Sequence, residues 1–301
     1  MQVTILGNNS ALPAFGRHPT AQAVDIGGDV LLLDCGEGTQ IQMQQYHVKW
    51  RKITHIFISH LHGDHYFGLP GLINSMSLLG RTAPLHLYAP KELANILDLI
   101  LHVADTKLSY PFHFHPIEDG EATLLADTRN FRVNVFPVEH RIACYGFLIT
   151  QKTRGRKLLP EKCREYEVPA YFFERLKAGE DYERKDGILV KNEWVTESGP
   201  KAKKYAYCAD TVYTDSFIEH IAGADLLYHE STYLHDNLEK AAARFHATAL
   251  QAAELALKAN AGRLLLGHYS SKYRDINEFE KEAATIFHNV VASVEGATYE
   301  V

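Results

Sequence analysis

Cysteine is scarce in this chain of 301 residues, and the four present, Cys35, Cys144, Cys163 and Cys208, lie far apart. No Cys-x-x-Cys pair exists to form a zinc knuckle or a redox motif. The four read as free, buried thiols, which suits a reducing compartment, and a cytoplasmic location is expected. Long apolar runs are missing as well. Nothing approaches the ~18 residues that a membrane span needs, and no membrane partner is expected. The opening Met1-Gln2-Val3-Thr4-Ile5-Leu6-Gly7 reads as a strand and lacks the charged-then-apolar pattern of a signal peptide. Positive charge is also short, with 31 Lys and Arg against 37 Asp and Glu. The net charge of −6 argues mildly against a nucleic-acid partner, because phosphate binding usually needs a basic surface. The remaining composition, 46% hydrophobic and 23% charged, is that of a globular α/β protein of one large domain or two small ones.

Against these absences stands one dense stretch, Phe57-Ile58-Ser59-His60-Leu61-His62-Gly63-Asp64-His65. Ile53 to Ile58 reads as a short buried strand, so the histidines sit at its carboxyl end. Three imidazoles and one carboxylate within six positions is a metal-ligand density that suits zinc and its neighbours better than magnesium or calcium. One ion cannot use all four. His60 and His62 can reach one ion from the strand end, while Asp64 and His65, past the turn where a helix begins, face a second. The competing reading is a histidine-rich polar loop without metal.

Other strands repeat the pattern. Val3 to Gly7, Ala21 to Ile26 and Val30 to Asp34 read as strands, the last two joined by the hairpin turn Gly27-Gly28-Asp29. Asp34 ends its strand near the metal loop, either to accept the second N–H of a ligand imidazole or as a simple turn residue. Thr39 is placed to cap a following helix. Helices are expected over Phe67 to Leu79, Lys91 to Val103, Ala247 to Ala259 and Ile276 to Val290. His86, His102, His113 and His115 have no companion carboxylate at ligand spacing and read as structural. Phe131 to Val138 delivers Glu139-His140-Arg141, Tyr205 to Ala209 delivers Asp210-Thr211, Leu226 to Tyr228 delivers His229-Glu230-Ser231-Thr232, and Leu264 to Leu266 delivers Gly267-His268. Repetition at strand ends is how an α/β scaffold assembles one site from distant segments.

Residues 150–204 break this rhythm. They hold 14 Lys and Arg against 10 Asp and Glu, a net of +4, and few apolar runs long enough to be core. An inserted basic arm protruding from a single domain spanning 1–301 is expected, with short helical pieces around Cys163 and around Phe172 to Leu176. A solvated charged loop without a role is the alternative.

LLLDCGEGTQ (31–40), SHLHGDHYFGLPGL (59–72), PVEHRIACYG (137–146), ADT (209–211), HEST (229–232) and GHYSSKY (267–273) together resemble the motifs of the ribonuclease Z family, tRNA 3′-processing endonucleases of the metallo-β-lactamase superfamily. The resemblance implies a four-layer αββα sandwich and a site for two Zn2+ per chain, with Mn2+ as an alternative ion. It implies His60, His62 and His140 as ligands of the first ion, Asp64, His65 and His268 as ligands of the second, and Asp210 as the bridge. It further implies Asp64 as proton acceptor, and Glu230 with His246 as the relay that protonates the departing 3′ oxygen, although the latter two could simply cap a helix. Precursor tRNA is the implied substrate, cut to leave a 3′-hydroxyl on the tRNA and a 5′-phosphate on the trailer. A homodimer is implied too. The insertion resembles the family's flexible arm, or exosite, which meets the charge objection by concentrating basic residues there.

Ala209, Gly267 and Lys272 depart from residues usual in the family (Gly, Thr and Arg), and the arm lacks a Gly-Pro pair before Leu176-Lys177, although Gly199-Pro200 follows. Two other functions share parts of the pattern. A hydrolase of small phosphodiesters or thioesters would need the ligands but no basic arm, and a non-catalytic RNA-binding module would need the arm but no intact ligand set.

Overall fold

The computed structural model describes residues 1–301 except Asp119, Glu121, Arg154 and Pro200, so Pro200 of the Gly199-Pro200 pair lies outside the described residues. It divides into two compact units, residues 1–150 with 203–301, and residues 151–202.

The larger unit is built on two seven-stranded sheets. The first contains β1 (Gln2–Gly7), β2 (Ala21–Ile26), β3 (Asp29–Leu33), β4 (Ile53–Phe57), β5 (Leu85–Pro90) and β6 (Phe112–Ile117), with β18 (Thr298–Glu300) beside β1. From β3 to β6 the strands run parallel, and β1, β2 and β3 are antiparallel neighbours. The second contains β7 (Thr123–Asp127), β8 (Phe131–Val138), β9 (Cys144–Gln151), β14 (Lys204–Cys208), β15 (Leu226–Glu230), β16 (Leu264–Gly267) and β17 (Val290–Ala292), parallel from β14 to β17.

Strand side chains alternate between faces, and that alternation sets the layers. Leu31, Leu33 and Phe57 from the first sheet share one buried core with Phe131, Phe147, Tyr205 and Tyr207 from the second. Val30, Leu32 and Ile56, on the opposite face of the first sheet, pack instead on Met43, Leu69, Leu72, Met76 and Leu93 from its helices. Outside the second sheet, Ala249, Ala252, Ala253 and Ala256 let the helix Ala249–Lys258 lie close, beside Phe279 of Asn277–Ala284. The arrangement is a four-layer αββα sandwich. Each fully buried Leu or Phe contributes roughly 1.5–3 kcal/mol relative to exposure.

Several boundaries differ from the sequence reading. The helix expected over 276–290 ends at Ala284, and Val290 instead pairs in parallel with Leu264. Thr39 is the first residue of its helix rather than its cap, and its hydroxyl donates back to the Gly36 carbonyl at 2.7 Å. The helix expected from Phe67 begins at Leu69, after a separate turn, Gly63–Tyr66. No helix among the described residues is long and apolar enough to cross a membrane.

The smaller unit has its own core, contrary to the expectation of little buried apolar surface. Cys163, Val168, Phe172, Leu176, Tyr182, Val190 and Val195 cluster together. Short helices, Pro160–Glu165 and Phe173–Lys177, and two small antiparallel ribbons, β10 (Lys157–Leu158) with β13 (Thr196–Glu197) and β11 (Tyr182–Glu183) with β12 (Leu189–Val190), frame it. Cys163, Leu176 and Tyr182 each lie between charged neighbours in sequence, so the fold reveals a cluster that no long apolar run announces.

Candidate metal centre

The site lies at the carboxyl ends of strands from both sheets, where loops, freed from the ladder, can aim side chains. β4 is followed by His60 and His62. The turn Gly63–Tyr66 then brings Asp64 and His65 into reach of His268, with the His65 ring still 4.0 Å from that of His60. β8 leads to His140, β14 to Asp210, β16 to His268, and Glu230 is the last residue of β15. The turn sits tightly against β3's exit: a Cβ on Gly68 would lie 2.1 Å from the Gly36 carbonyl oxygen, and one on Gly36 would lie 2.4 Å from that of Asp64.

Two donor sets result. His60, His62, His140 and Asp210 form one, and Asp64, His65 and His268 the other, with donor atoms within 4.8 Å of one another in each. Asp210 faces both. Its Oδ1 lies 3.1 Å from His268 Nε2 and 3.5 Å from His65 Nε2, while its Oδ2 lies 3.6 Å from His60 Nε2 and 3.9 Å from His140 Nε2. In the first set His62 Nδ1 lies 3.0 Å from His60 Nε2 and 3.2 Å from His140 Nε2.

Oxygen atoms behind the imidazoles fix which nitrogen points inward. His65 Nδ1 donates to Asp34 Oδ2 at 2.7 Å, an oxygen that also accepts from Ser59 Oγ at 2.9 Å and Tyr207 Oη at 2.6 Å. Asp34 is thus an orienting residue, not only a turn residue. His60 Nδ1 meets Ser59 Oγ at 3.0 Å, His140 Nδ1 donates to the Phe245 carbonyl at 2.9 Å, and His268 Nδ1 meets Thr232 Oγ1 at 2.9 Å. Thr232 passes its own hydroxyl proton toward Glu230 Oε2 at 2.8 Å. The inward nitrogens keep their lone pairs for a cation. Asp210 Oδ1 is buried with no hydrogen-bond partner among the described residues. A buried carboxylate oxygen without a hydrogen-bond partner is costly unless a cation meets it, so the residues fit a metal.

The electrostatics agree. Burial pushes His60, His62 and His140 below the ordinary imidazole value. Burial also opposes charge on His65, yet Asp210, Asp64 and Asp34 draw it well up. Asp64, despite its burial, is held well below the usual carboxylate range by His65 and His268, and its Oδ2 accepts from the Ala11 N–H at 2.7 Å.

His246 Nδ1 lies 3.0 Å from Glu230 Oε1 but 4.0 Å from Asp210 Oδ2. It could enter a donor group with Asp210 and His268, but its nearer partner is Glu230. Burial works against its charge, and Glu230, aided by Asp210, overcomes this and pushes it up to about 9. The helix cap is made by Thr248 with Gln251, so His246 and Glu230 are not its capping pair. His229 turns away, buried, donating to the Glu230 carbonyl at 2.6 Å.

A cavity of about 780 Å³ opens over the site, lined by Phe67, Arg141, Tyr233, Arg244, His246 and Ser270 among others. Sequence reasoning did not single out Ser59, Tyr207 or Thr232. Ser59 adjoins the histidines, whereas Tyr207 in mid-strand carries no signal of its own. Gly267 has a structural reason: a Cβ there would lie 2.2 Å from Tyr228 Oη, so the tyrosine fills the room a threonine would take. Lys272 Nζ donates to Asn237 Oδ1 at 2.9 Å.

The family model described as "Anti-Pycsar protein Apyc1" matches residues 1–156, a span that falls within that family but stops short of Asp210, Glu230, His246 and His268. Other likenesses run the full length. "Ribonuclease Z" of Parabacteroides distasonis is 40% identical over 99% of this chain and 98% of its own. That of Bacteroides thetaiotaomicron is 41% identical over 98% and 93%. The short form of human tRNase Z superposes with a TM-score of 0.73 at 26% identity, covering 100% of this chain and 99% of that one. These relatives span both halves of the metal centre at an identity well beyond a shared fold, and the chain belongs to the ribonuclease Z family.

Proposed function

We propose that the chain is a metal-dependent endoribonuclease that removes the 3′ trailer from precursor tRNA, leaving a 3′-hydroxyl on the tRNA and a 5′-phosphate on the trailer. The observation that carries the reading is Asp210, one oxygen toward each donor set, beneath a cavity large enough for a nucleotide backbone. Two Zn2+ are the ions that best match imidazole and carboxylate donors, with Mn2+ as a second choice. His60, His62 and His140 would hold one, Asp64, His65 and His268 the other, with Asp210 facing both. Zinc bound there lowers the pKa of water toward neutrality and stabilises charge on phosphoryl oxygens.

The chain's own groups complete the reaction. Asp64, anchored by Ala11, orients the attacking water or takes its proton. His246 is a cation at neutral pH and gives its proton to the departing 3′ oxygen, while Glu230 holds the ring through Nδ1.

The unit 151–202 is the tRNA-gripping exosite. Many of its cations are paired, as in Lys162–Glu165, Arg175–Glu180 and Lys191–Asp181, but exposed pairs are weak and exchange readily for phosphate. Lys203, just beyond it, bonds Asp225 Oδ1 at 2.9 Å and is already engaged within the larger unit. A homodimer is supported by exposed Ile41, Leu78, Leu79, Leu99 and Val103 on neighbouring helices of the larger unit. Sedimentation showing only monomer at micromolar concentration would remove it. Four buried free thiols support a cytoplasmic setting.

The test pairs labelled precursor tRNA with a small chromogenic phosphodiester, on the intact chain and on a variant in which 153–199 is replaced by a short Gly-Ser linker. Loss of tRNA cleavage through weaker binding, with small-substrate hydrolysis retained, is expected. Equal loss of both, or unchanged tRNA affinity, overturns the exosite. Hydrolysis of the small substrate alone by the intact chain would favour a small-phosphodiester hydrolase instead.

A further inference from the structure

Four histidines outside the metal centre share the inward face of the first sheet. β4, β5 and β6 are parallel neighbours, with His55 opposite His86, His86 opposite His113, and Tyr88 opposite His115. The rings stack: His55 on His86 at 4.9 Å, His86 on His113 at 4.9 Å, and His115 on Tyr88 at 4.4 Å. Diagonally across the two strands, His86 Nδ1 comes within 3.0 Å of His115 Nε2. The imidazole pairs of the metal centre have the same nitrogen separation, 3.0 Å for His60–His62 and 3.3 Å for His65–His268.

Access also suits an ion. His113 is exposed, His86 and His115 are half-buried, and His55 lies deeper, so the pair can be reached from the β6 edge of the sheet. No carboxylate forms an ion pair with either ring among the described residues. Among the described residues the donors are therefore imidazole nitrogens, which select zinc, copper or nickel over the oxygen-seeking magnesium and calcium.

We propose that His86 Nδ1 and His115 Nε2 form a second metal site, independent of the nuclease centre, for a divalent ion of the zinc, copper or nickel class, with water completing its coordination. Burial and neighbouring imidazoles hold both rings below their ordinary value, so each arrives neutral. The hydrogen bond between them uses one ring proton. Binding moves that proton to the outward nitrogen of the same ring, a change of tautomer with no net proton release. The bound ion then joins edge strand β6 to β5 and stabilises the native chain by mass action.

The test uses tag-free protein already saturated with zinc and freed of loosely held metal. Calorimetric titration with further Zn2+, and then with Ni2+, should show an additional equivalent and a rise in Tm. Both should vanish in the double variant His86→Phe/His115→Phe, whose rings preserve the stack, while precursor tRNA cleavage stays at the wild-type level. If the double variant does not fold, His115→Phe alone removes one donor and should weaken binding with the same loss of the Tm rise. Equal extra metal in wild type and variant, or none in wild type below millimolar concentration, would show that the two rings only hydrogen-bond to each other.

Discussion

At the metal centre the outward nitrogens of His60, His65, His140 and His268 are answered by oxygens, from Ser59, Asp34, the Phe245 carbonyl and Thr232, whereas on the face of β4 to β6 the imidazoles answer mainly one another. The first cluster contains buried carboxylates that call for cations. The second is neutral, and its deepest member, His55, is pushed by burial and by His86 down to about 4. Histidine count does not separate the two. What separates them is the carboxylate supply and the oxygen anchors, which orient the rings of the metal centre, whereas the second cluster offers an ion only the neutral nitrogens of His86 and His115 and leaves His55 a desolvated ring.

The strongest way to break the contrast is Asp210→Asn, which keeps the shape and removes the charge shared by both donor sets. Metal content and single-turnover cleavage should fall further than in any variant below, and wild-type metal content would refute the bridging assignment. His246→Ala should cost ~10²- to 10⁴-fold in rate with metal content unchanged; metal loss instead would mean that the ring is a ligand. Asp34→Asn tests the anchors, and metal affinity measured by chelator competition should weaken by ~10- to 100-fold. Unaltered affinity would leave the oxygens behind the imidazoles without a role.

The smallest effect belongs to the neutral cluster. His55 has a folded value near 4 against 6.5 ordinarily, so its contribution is fully present above pH 6.5 and is lost as pH falls toward 4. In denaturant titrations at stepwise lower pH, His55→Phe should lose less stability than wild type, by about 3 kcal/mol at the acid end. Parallel decline of the two proteins would show that His55 is not a desolvated group.

The ligand-type residues were legible because the chemistry demands rare types at strand ends, and His60, His140, Asp210 and His268 each follow a readable apolar run. Their anchors were not. Tyr207 is an aromatic in a buried strand, and only packing reveals that its hydroxyl reaches Asp34, 173 positions away. β6 hid for a different reason: Pro111 and Pro116 bracket an alternating Phe-His-Phe-His, and proline inside such a run is tolerated only at a sheet edge. The helix ending at Ala284 was overestimated because Ile286 and Phe287 continue an apolar spacing that the turn into β17 then uses. At Gly267 the departure from the family pattern became intelligible only beside Tyr228, since volume exchanged between two strands leaves no mark on either one alone.

With one Asp210 oxygen toward each donor set, two ions bound there would share a ligand and would not fill as separate sites. Whatever loading one set does to the position and charge of that carboxylate, the other set experiences, and reciprocity requires the factor to be equal in both directions. An ion at His268 and an ion at His60 would therefore report on each other's affinity through a single side chain, and their loss would be one linked equilibrium.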